Sequence, residues 1–423
     1  MKKIYTVAII GVGGRGGDAY GNIINTQKDK FKIVALCDFK KERLERLGVK
    51  FGVSAENRFT DEIEFFAVKR ADVLIIATQD KDHVRQAVKA FSLGYDILLE
   101  KPLASEKDEL EKLIAAQKKY GKKALVCHVL RYAPAFMKAA ELIDEGAIGK
   151  LVAINALERV TFWHQAHSYV RGNWRKAEDT SPMIMAKCCH DLDLLQYYAG
   201  AKCKTISSVG DIAFFKRENA PEGCAERCVN CKYKDSCSYS AKKIYLDWWV
   251  VQGKKEDVWP FNIIAEAPLT QEKIEKAIET GPYGRCVFAC DNDVVDHQIV
   301  EMQFENGVKA ELTMTGFTKL CGRRITFFGT QGNITLDESE NKIMVDKFTL
   351  DENDSATIQI NVLNENGYGH GGGDYGIVNT LYDILEGKTS NRTSLEESVE
   401  SHLMAIAAEE SRVQGGKLIE IHK

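Results

Sequence analysis

The chain has 423 residues, 44% of them apolar and 28% charged, close to the average of folded globular domains, which excludes a disordered chain and a coiled-coil rod. Lys plus Arg (57) nearly balances Asp plus Glu (61), for a net charge of −4. With no basic stripe along the chain, nucleic acid and anionic membranes are excluded as expected partners. At roughly 150 residues per domain the length suggests about three units, or two larger ones. No apolar run reaches the ~18 residues of a membrane-spanning helix. The first ten residues run straight into glycines with no small-residue cleavage site, so they are expected to form a strand, and the chain is expected to be cytoplasmic.

Apolar runs at Val7–Ile10, Ile33–Cys37, Ala71–Ala77, Asp96–Leu99 and Ala124–Cys127 alternate with helical spacing, clearest at Glu106–Tyr120. Continuous apolar strands separated by helices predict a parallel sheet covered on both faces. After about Pro134 the pattern changes. A helix is expected at Ala135–Glu145, a long strand at Leu151–Arg159 and a helix around His190–Tyr198. An irregular insertion, roughly residues 215–282, follows with a cysteine cluster and Trp248, Trp249 and Trp259. Alternation from His297 to Ile360 with Gly-rich turns predicts an antiparallel meander. The tail shows a helix near Ile377–Leu385 and a second one opened by the capping pair Ser394 and Glu397 and closed by Gly415.

Gly11-Val-Gly13-Gly14-Arg15-Gly16 follows the first strand and opens a helix. Glycines there permit a tight turn and close approach of backbone to a pyrophosphate, which the helix N-terminus attracts. Asp38 ends the second strand about 20 positions on, where a carboxylate accepts from an adenosine ribose and repels a 2′-phosphate. NAD is therefore expected over NADP, with Lys40 and Lys41 as the cations that could reverse the preference.

Glu100-Lys101-Pro102 at a strand end, Thr78-Gln79-Asp80 with His83, His190-Asp-Leu-Asp193, and the stretch Arg323–Gly332 together resemble the glucose–fructose oxidoreductase / inositol dehydrogenase (Gfo/Idh/MocA) family of sugar and polyol oxidoreductases. The resemblance covers essentially the whole chain. It implies an α/β architecture: an N-terminal Rossmann dinucleotide-binding domain (1–127), then an α+β domain (128–423) with a predominantly antiparallel open sheet that builds homodimers or homotetramers. It also implies cofactor contacts at Gly11, Gly13, Gly14, Arg15, Gly16, Asp38, Thr78, Gln79, His83, Glu100 and Lys101. Lys101 is implied beside the nicotinamide and the reacting hydroxyl, followed by a Pro102 that can be cis. His190 is implied as the proton carrier. Many relatives have an Asp four positions before this histidine; Ala186 stands there instead, and Lys187 at the −3 position could turn into the pocket and lower the His190 pKa.

Three stretches suit a carbohydrate, which takes aromatic faces against its C–H patches and donors for its hydroxyls. They are Trp163 to Trp174, with Trp163, His167, Arg171, Asn173 and Trp174; His128 with Arg131; and Gly369-His370-Gly-Gly-Gly-Asp374. The expected function is an NAD-dependent oxidoreductase acting on a secondary hydroxyl, with C3 one candidate, of a sugar, glycoside or polyol. The alternative is a glycosidase with tightly bound NAD working by oxidation and elimination, for which the His370–Asp374 stretch is the pointer.

Four of the 12 cysteines form Cys224-x3-Cys228-x2-Cys231-x5-Cys237. A structural zinc is the first expectation, with Arg227, Lys232 and Lys234 offsetting thiolate charge. The first three share the spacing that holds a [4Fe–4S] cluster in radical enzymes, but there it follows a barrel strand rather than opening an insertion; disulfides and free thiols are the other readings.

Overall fold

The computed structural model describes residues 3–255, 258–266, 268–351, 354–361 and 369–422. Six short strands, β1 (Tyr5–Ile10), β2 (Phe31–Cys37), β3 (Arg58–Phe59), β4 (Val73–Ile76), β5 (Asp96–Leu99) and β6 (Ala124–Val126), form a sheet of order β3-β2-β1-β4-β5-β6. Every pair is parallel. Helices cover both faces, so the strands are apolar throughout; β4, Val-Leu-Ile-Ile, is wholly buried. Strand order reverses between β1 and β4, and the cleft above the carboxyl ends of these strands is where a doubly wound sheet takes its ligand.

Nine strands form the second sheet: β7 (Leu151–Arg159), β8 (Cys203–Asp211), β9 (His297–Phe304), β10 (Lys309–Thr315), β11 (Gly322–Gly329), β12 (Gly332–Asp337), β13 (Lys342–Lys347), β14 (Ser355–Gln359) and β15 (Ile419–Glu420). Their order is β14-β13-β12-β11-β7-β10-β9-β8-β15. The expected meander is split, because β7 lies between β10 and β11 and pairs with β10 in parallel. All other pairs are antiparallel. One face of each strand is buried; on β9 the alternation is strict from Gln298 to Phe304. The opposite face stays open, and Val209, Ile299 and Phe328 are exposed on it.

The tail does not stay with the second sheet. Helix Gly373–Leu385 buries Ile377, Val378, Leu381 and Tyr382 in the nucleotide-domain core. Helix Leu395–Val413, capped by Ser394 accepting from the Glu397 N–H, places Leu395 in that domain and Met404, Ala405 and Ala408 in the other core. The insertion also differs from expectation. It has an apolar core of its own, with Phe215, Tyr245, Trp249, Phe261, Ile274 and Ile278 buried alongside Ala166 and Val170.

Candidate active site

The glycine loop is shaped for close approach. Gly11 has a φ of +82°, and a Cβ there would stand 2.4 Å from the Ala77 carbonyl oxygen; one on Gly16 would stand 2.1 Å from that of Gly11. Nothing lies within 4 Å of the Cβ position of Gly14, so this side of the loop is open. The following helix begins as a π-helix, Gly14–Gly21, with its free N–H groups toward the cleft. Asp38 is buried and braces the loop, accepting from the Val12 N–H (2.9 Å) and the Lys40 N–H (2.9 Å). Each carboxylate oxygen keeps a lone pair for a ribose hydroxyl. These residues fit a dinucleotide.

Lys40, one of the two cations that could have welcomed a 2′-phosphate, is engaged. Its Nζ donates to Glu266 of the insertion (2.9 Å), and Arg43 stands 4.0 Å from the same carboxylate. Glu266→Ala is therefore expected to raise affinity for NADP relative to NAD several-fold by freeing both cations; an unchanged ratio in titrations of both cofactors would show that Glu266 has no part in the choice.

Arg15 does not point out to a phosphate. Its Nε donates to Glu100 (2.7 Å) and its Nη atoms to Asp374 (2.9 and 2.8 Å), tying the dinucleotide helix to the first turn of helix Gly373–Leu385. Glu100 also accepts from Tyr20 (2.8 Å) and from the Lys101 N–H (3.0 Å). The Lys101–Pro102 peptide is cis. His83 is not in the cofactor cleft either: its Nδ1 donates to the Pro102 carbonyl (2.7 Å). The next amide, Leu103 N–H, donates to His402 Nε2 (2.8 Å), whose Nδ1 in turn donates to Ser398 O (2.8 Å). Thr78 Oγ1 donates to Gln86 (2.6 Å), and Gln79 beside it is exposed. So the Glu-Lys-Pro turn is held from three sides, and Lys101 Nζ reaches the Ala186 carbonyl (3.0 Å).

His190 is 5% exposed on helix Cys189–Ala199. Its Nδ1 is enclosed without a partner, leaving Nε2 as the nitrogen that reaches the cleft. Burial, then the charges of Lys101, His370 and Arg323, hold its pKa well below the ordinary histidine value. The His370 ring is 5.7 Å away, on the loop that Asp374 pins.

Lys187 is not the cation expected beside His190. The helix breaks between Ala186 and Cys189, so the helical i, i+3 relation is lost. Lys187 turns instead to Glu158 (3.2 Å), a buried carboxylate that it shares with Arg323 (3.0 Å). Arg323 also grips Asp191 (2.8 Å). Burial, reinforced by the Glu158 charge and opposed by Arg323, pushes the Asp191 carboxyl up to about 7.

Several expected substrate contacts are relocated. His128 is fully buried behind His190, with ring centroids 6.0 Å apart, and also packs on His402 (5.6 Å). Arg131 makes a bidentate pair with Asp193 (2.7 and 2.7 Å) and donates to Arg392 O and Gln196, leaving a hydroxyl nothing to claim. Arg171 is buried in the insertion, donating to the carbonyls of Arg285 and Tyr239 (2.7 Å each). His167 is buried too, bonded to Tyr245 (2.9 Å) and stacked on Tyr283. Asn173 is exposed next to Trp174, which packs on the second domain's core. Trp163 is half-buried in an aromatic wall with Trp248 and Trp259 (4.8 and 4.9 Å), and His164 joins it against Trp259. Sequence reasoning singled out neither His402, Tyr20, Glu158 nor Glu266; only their long-range partners mark them.

Two sequence profiles match. That of the "Oxidoreductase family, NAD-binding Rossmann fold" covers residues 5–128, and that of the "Oxidoreductase family, C-terminal alpha/beta domain" covers residues 140–419. This chain belongs to the Gfo/Idh/MocA oxidoreductase family. It is an NAD(P)-dependent oxidoreductase of the kind that acts on CH–OH groups. Among the relatives of this oxidoreductase, YteT of Bacillus subtilis is 23% identical over 86% of this chain and 87% of its own. The scyllo-inositol 2-dehydrogenase (NAD(+)) of the same organism is 28% identical over 50% of this chain and 59% of its own length. The fold matches that of an oxidoreductase from Agrobacterium radiobacter, solved with NAD+, L-tartaric acid and magnesium: TM-score 0.69, 17% identity, covering 99% of this chain and 98% of that one. Among the described residues no helix is long and apolar enough to cross a membrane.

The cysteine loop borders a partly open cavity. Cys224, Cys228, Cys231 and Cys237, together with Cys286, line a cavity of about 250 Å³. Cys286 lies 62 residues from Cys224 in sequence, yet their sulfurs are 3.3 Å apart.

Proposed function

We propose that this oxidoreductase transfers hydride between NAD and a secondary hydroxyl carbon, such as C3, of a sugar, glycoside or polyol, with Lys101 and His190 managing the hydroxyl proton. The observation that carries this reading is a lysine braced at the β5 terminus beside a buried histidine whose Nε2 alone reaches the cleft. NAD, when bound, supplies the hydride acceptor. The Lys101 ammonium holds the substrate oxygen, and neutral His190 accepts its proton at Nε2 as alkoxide character develops. Trp163 and Trp259 offer half-exposed aromatic faces for C–H patches of a sugar ring. The names of the inositol dehydrogenase relatives support a polyol or sugar as substrate. The open face of the second sheet, with Val209, Ile299 and Phe328, suits a homodimer or homotetramer, and the chain is read as a cytoplasmic enzyme.

A screen of sugars, glycosides and polyols with NAD, followed by NADH absorbance, tests the reading; the absence of NADH with every class would overturn it. Because His190 stays neutral well below pH 6.5, the acid limb of kcat/KM is expected to lie below that value. A limb at or above 6.5 would remove His190 as the base.

A second reading has one observation in its favour. Asp374 and His370 clasp Arg15 of the dinucleotide helix, and Glu266 closes on the far end of the same site, an arrangement suited to keeping NAD bound. A glycosidase acting by oxidation and elimination would use such a captive cofactor. It is distinguished by NAD that co-purifies and by glycoside cleavage without added cofactor.

A further inference from the structure

The spacing of the loop cysteines suggests a metal, but the fold arranges the sulfurs differently. A tetrahedral zinc with Zn–S bonds of about 2.3 Å brings its thiolates to about 3.8 Å from one another. Among the described residues, Asp211, Asp296 and His297 form the only group of three ligand atoms that all lie within 4.8 Å of one another. No three cysteine sulfurs therefore converge on one point. What the structure builds is a pair. Cys224 Sγ stands 3.3 Å from Cys286 Sγ, while Cys231 Sγ is farther, 4.0 Å from Cys224.

Backbone contacts hold the pair together. Arg227 and Arg285 form an antiparallel bridge, and the Cys286 N–H donates to the Glu226 carbonyl (2.9 Å). The Arg227 guanidinium extends the clamp, donating to the carbonyls of Ile278 (2.8 Å) and Gly281 (2.6 Å). Two segments 62 residues apart in sequence are thus fixed side by side at the two thiols. A small reagent can reach them. Cys224 is half-buried and Cys286 buried, and both line the partly open cavity.

We propose that Cys224 and Cys286 form an oxidisable dithiol, a modification site at which a low-molecular-weight disulfide closes a reversible bridge between the two segments. Cys224, the more accessible thiol, attacks one sulfur of the disulfide RSSR as its thiolate and releases RS⁻. Cys286 then attacks the Cys224 sulfur of the mixed disulfide and releases the second RS⁻. The two thiol protons go to the two leaving thiolates. The pair loses two electrons and RSSR gains them. From 3.3 Å the sulfurs close by about 1.3 Å to reach disulfide length, a distance that side-chain rotation covers with the backbone bridge intact. In a reducing compartment such thiols rest reduced and bridge only transiently. Once closed, the bridge staples the Cys224–Cys237 loop to the segment whose Arg285 carbonyl accepts from Arg171 (2.7 Å). Arg171 ends the helical segment Gln165–Arg171 that follows directly on Trp163 and His164, so oxidation stiffens the support of the aromatic wall.

The full-length protein is reduced, held in glutathione buffers of increasing disulfide content, alkylated and mapped by peptide mass. Cys224 is expected to appear joined to Cys286 in most chains, and dithiothreitol should reverse it. In Cys286→Ser the second step is lost, so Cys224 should carry glutathione instead. Cys224→Ser should give neither bridge nor adduct at Cys286. Cys321→Ser, at an exposed cysteine outside the cavity, should bridge as the parent does, and NAD titration verifies that each variant is folded. Oxidation should raise the melting temperature of the parent by several degrees and leave that of Cys224→Ser unchanged, because a bridge across 62 residues restrains the unfolded chain. A parent in which Cys224 is joined to Cys231, in which no bridge forms, or in which one bound zinc per chain keeps these thiols from the disulfide would overturn the proposal. A bridge that forms without raising the melting temperature would overturn its role as a staple.

Discussion

Replacing Lys101 with alanine is expected to lower turnover by roughly 10²–10⁴-fold, the range for removal of a group that handles a reacting proton, while NAD affinity changes less than about threefold. The expectation rests on where the side chain is and on what holds it. Glu100, buried and paired to Arg15 and Tyr20, anchors the strand end, and His83 and His402 hold the backbone on the other side of Pro102. None of these contacts uses the Lys101 side chain, so its truncation leaves the turn in place. What is lost is the ammonium and its bond to Ala186. Arginine should not rescue, because its planar fork is too large for a site shaped to a point charge. Wild-type turnover in Lys101→Ala, once a substrate is in hand, would take this residue out of the mechanism. NAD affinity falling in step with turnover would mean that it serves the cofactor instead.

Acid should destabilise the fold steeply below about pH 6.5, through histidines buried as neutral rings. His128, His167, His190 and His402 are each at most 5% exposed. Burial is the largest cause in all four. It holds His167 and His402 down at about 3, and His128 and His190 well below their ordinary value. Neighbouring cations add to it: Arg131 and Lys101 for His128, Arg171 for His167, and Lys101 for His190 and His402. The sign follows from proton counting. Below 6.5 the unfolded chain binds protons at these rings and the folded chain does not, so stability falls as pH falls, until the folded values are reached. While a ring stays neutral in the fold it costs about 1.4 kcal/mol per pH unit below the ordinary histidine value, so several such rings together weigh against the marginal stability of a domain. Urea midpoints measured from pH 7.5 to 4.5 should drop accordingly. His402→Gln, which removes one titrating ring, should make the slope measurably shallower; a midpoint that stays level across this range would contradict the buried, neutral state of these rings.

The two effects draw on different kinds of information. Much of the nucleotide site is written locally. The glycine loop needs glycines because a Cβ at Gly11 or Gly16 would strike a neighbouring backbone oxygen, and the strand–loop–helix context is visible in consecutive residues. Asp38 and the Glu100-Lys101-Pro102 turn stand out for the same reason: they end strands whose apolar runs are legible along the chain. The capping pair at Ser394 is equally local.

Long charged side chains were the hard cases. Arg15, Arg131 and Arg171 look alike along the chain, as donors near a site, yet each is spent on a partner distant in sequence: Asp374, Asp193 and the carbonyls beside the cysteine cavity. A guanidinium reaches several ångströms from its Cα in any direction, so sequence spacing does not say where it lands. Lys187 failed for a related reason: the i, i+3 argument assumes an unbroken helix, and the chain kinks at Cys188. Cysteine spacing within one loop did not reveal Cys286, which arrives from another segment and stands 3.3 Å from Cys224.

Length and composition bounded the chain to a large, near-neutral, folded protein, and motifs of a few adjacent residues determined its nucleotide domain and family. Which charges meet, which histidines are buried and how far apart the sulfurs sit were decided by tertiary structure alone. Those properties depend on contacts between residues tens to hundreds of positions apart, and packing selects them; no local pattern encodes them.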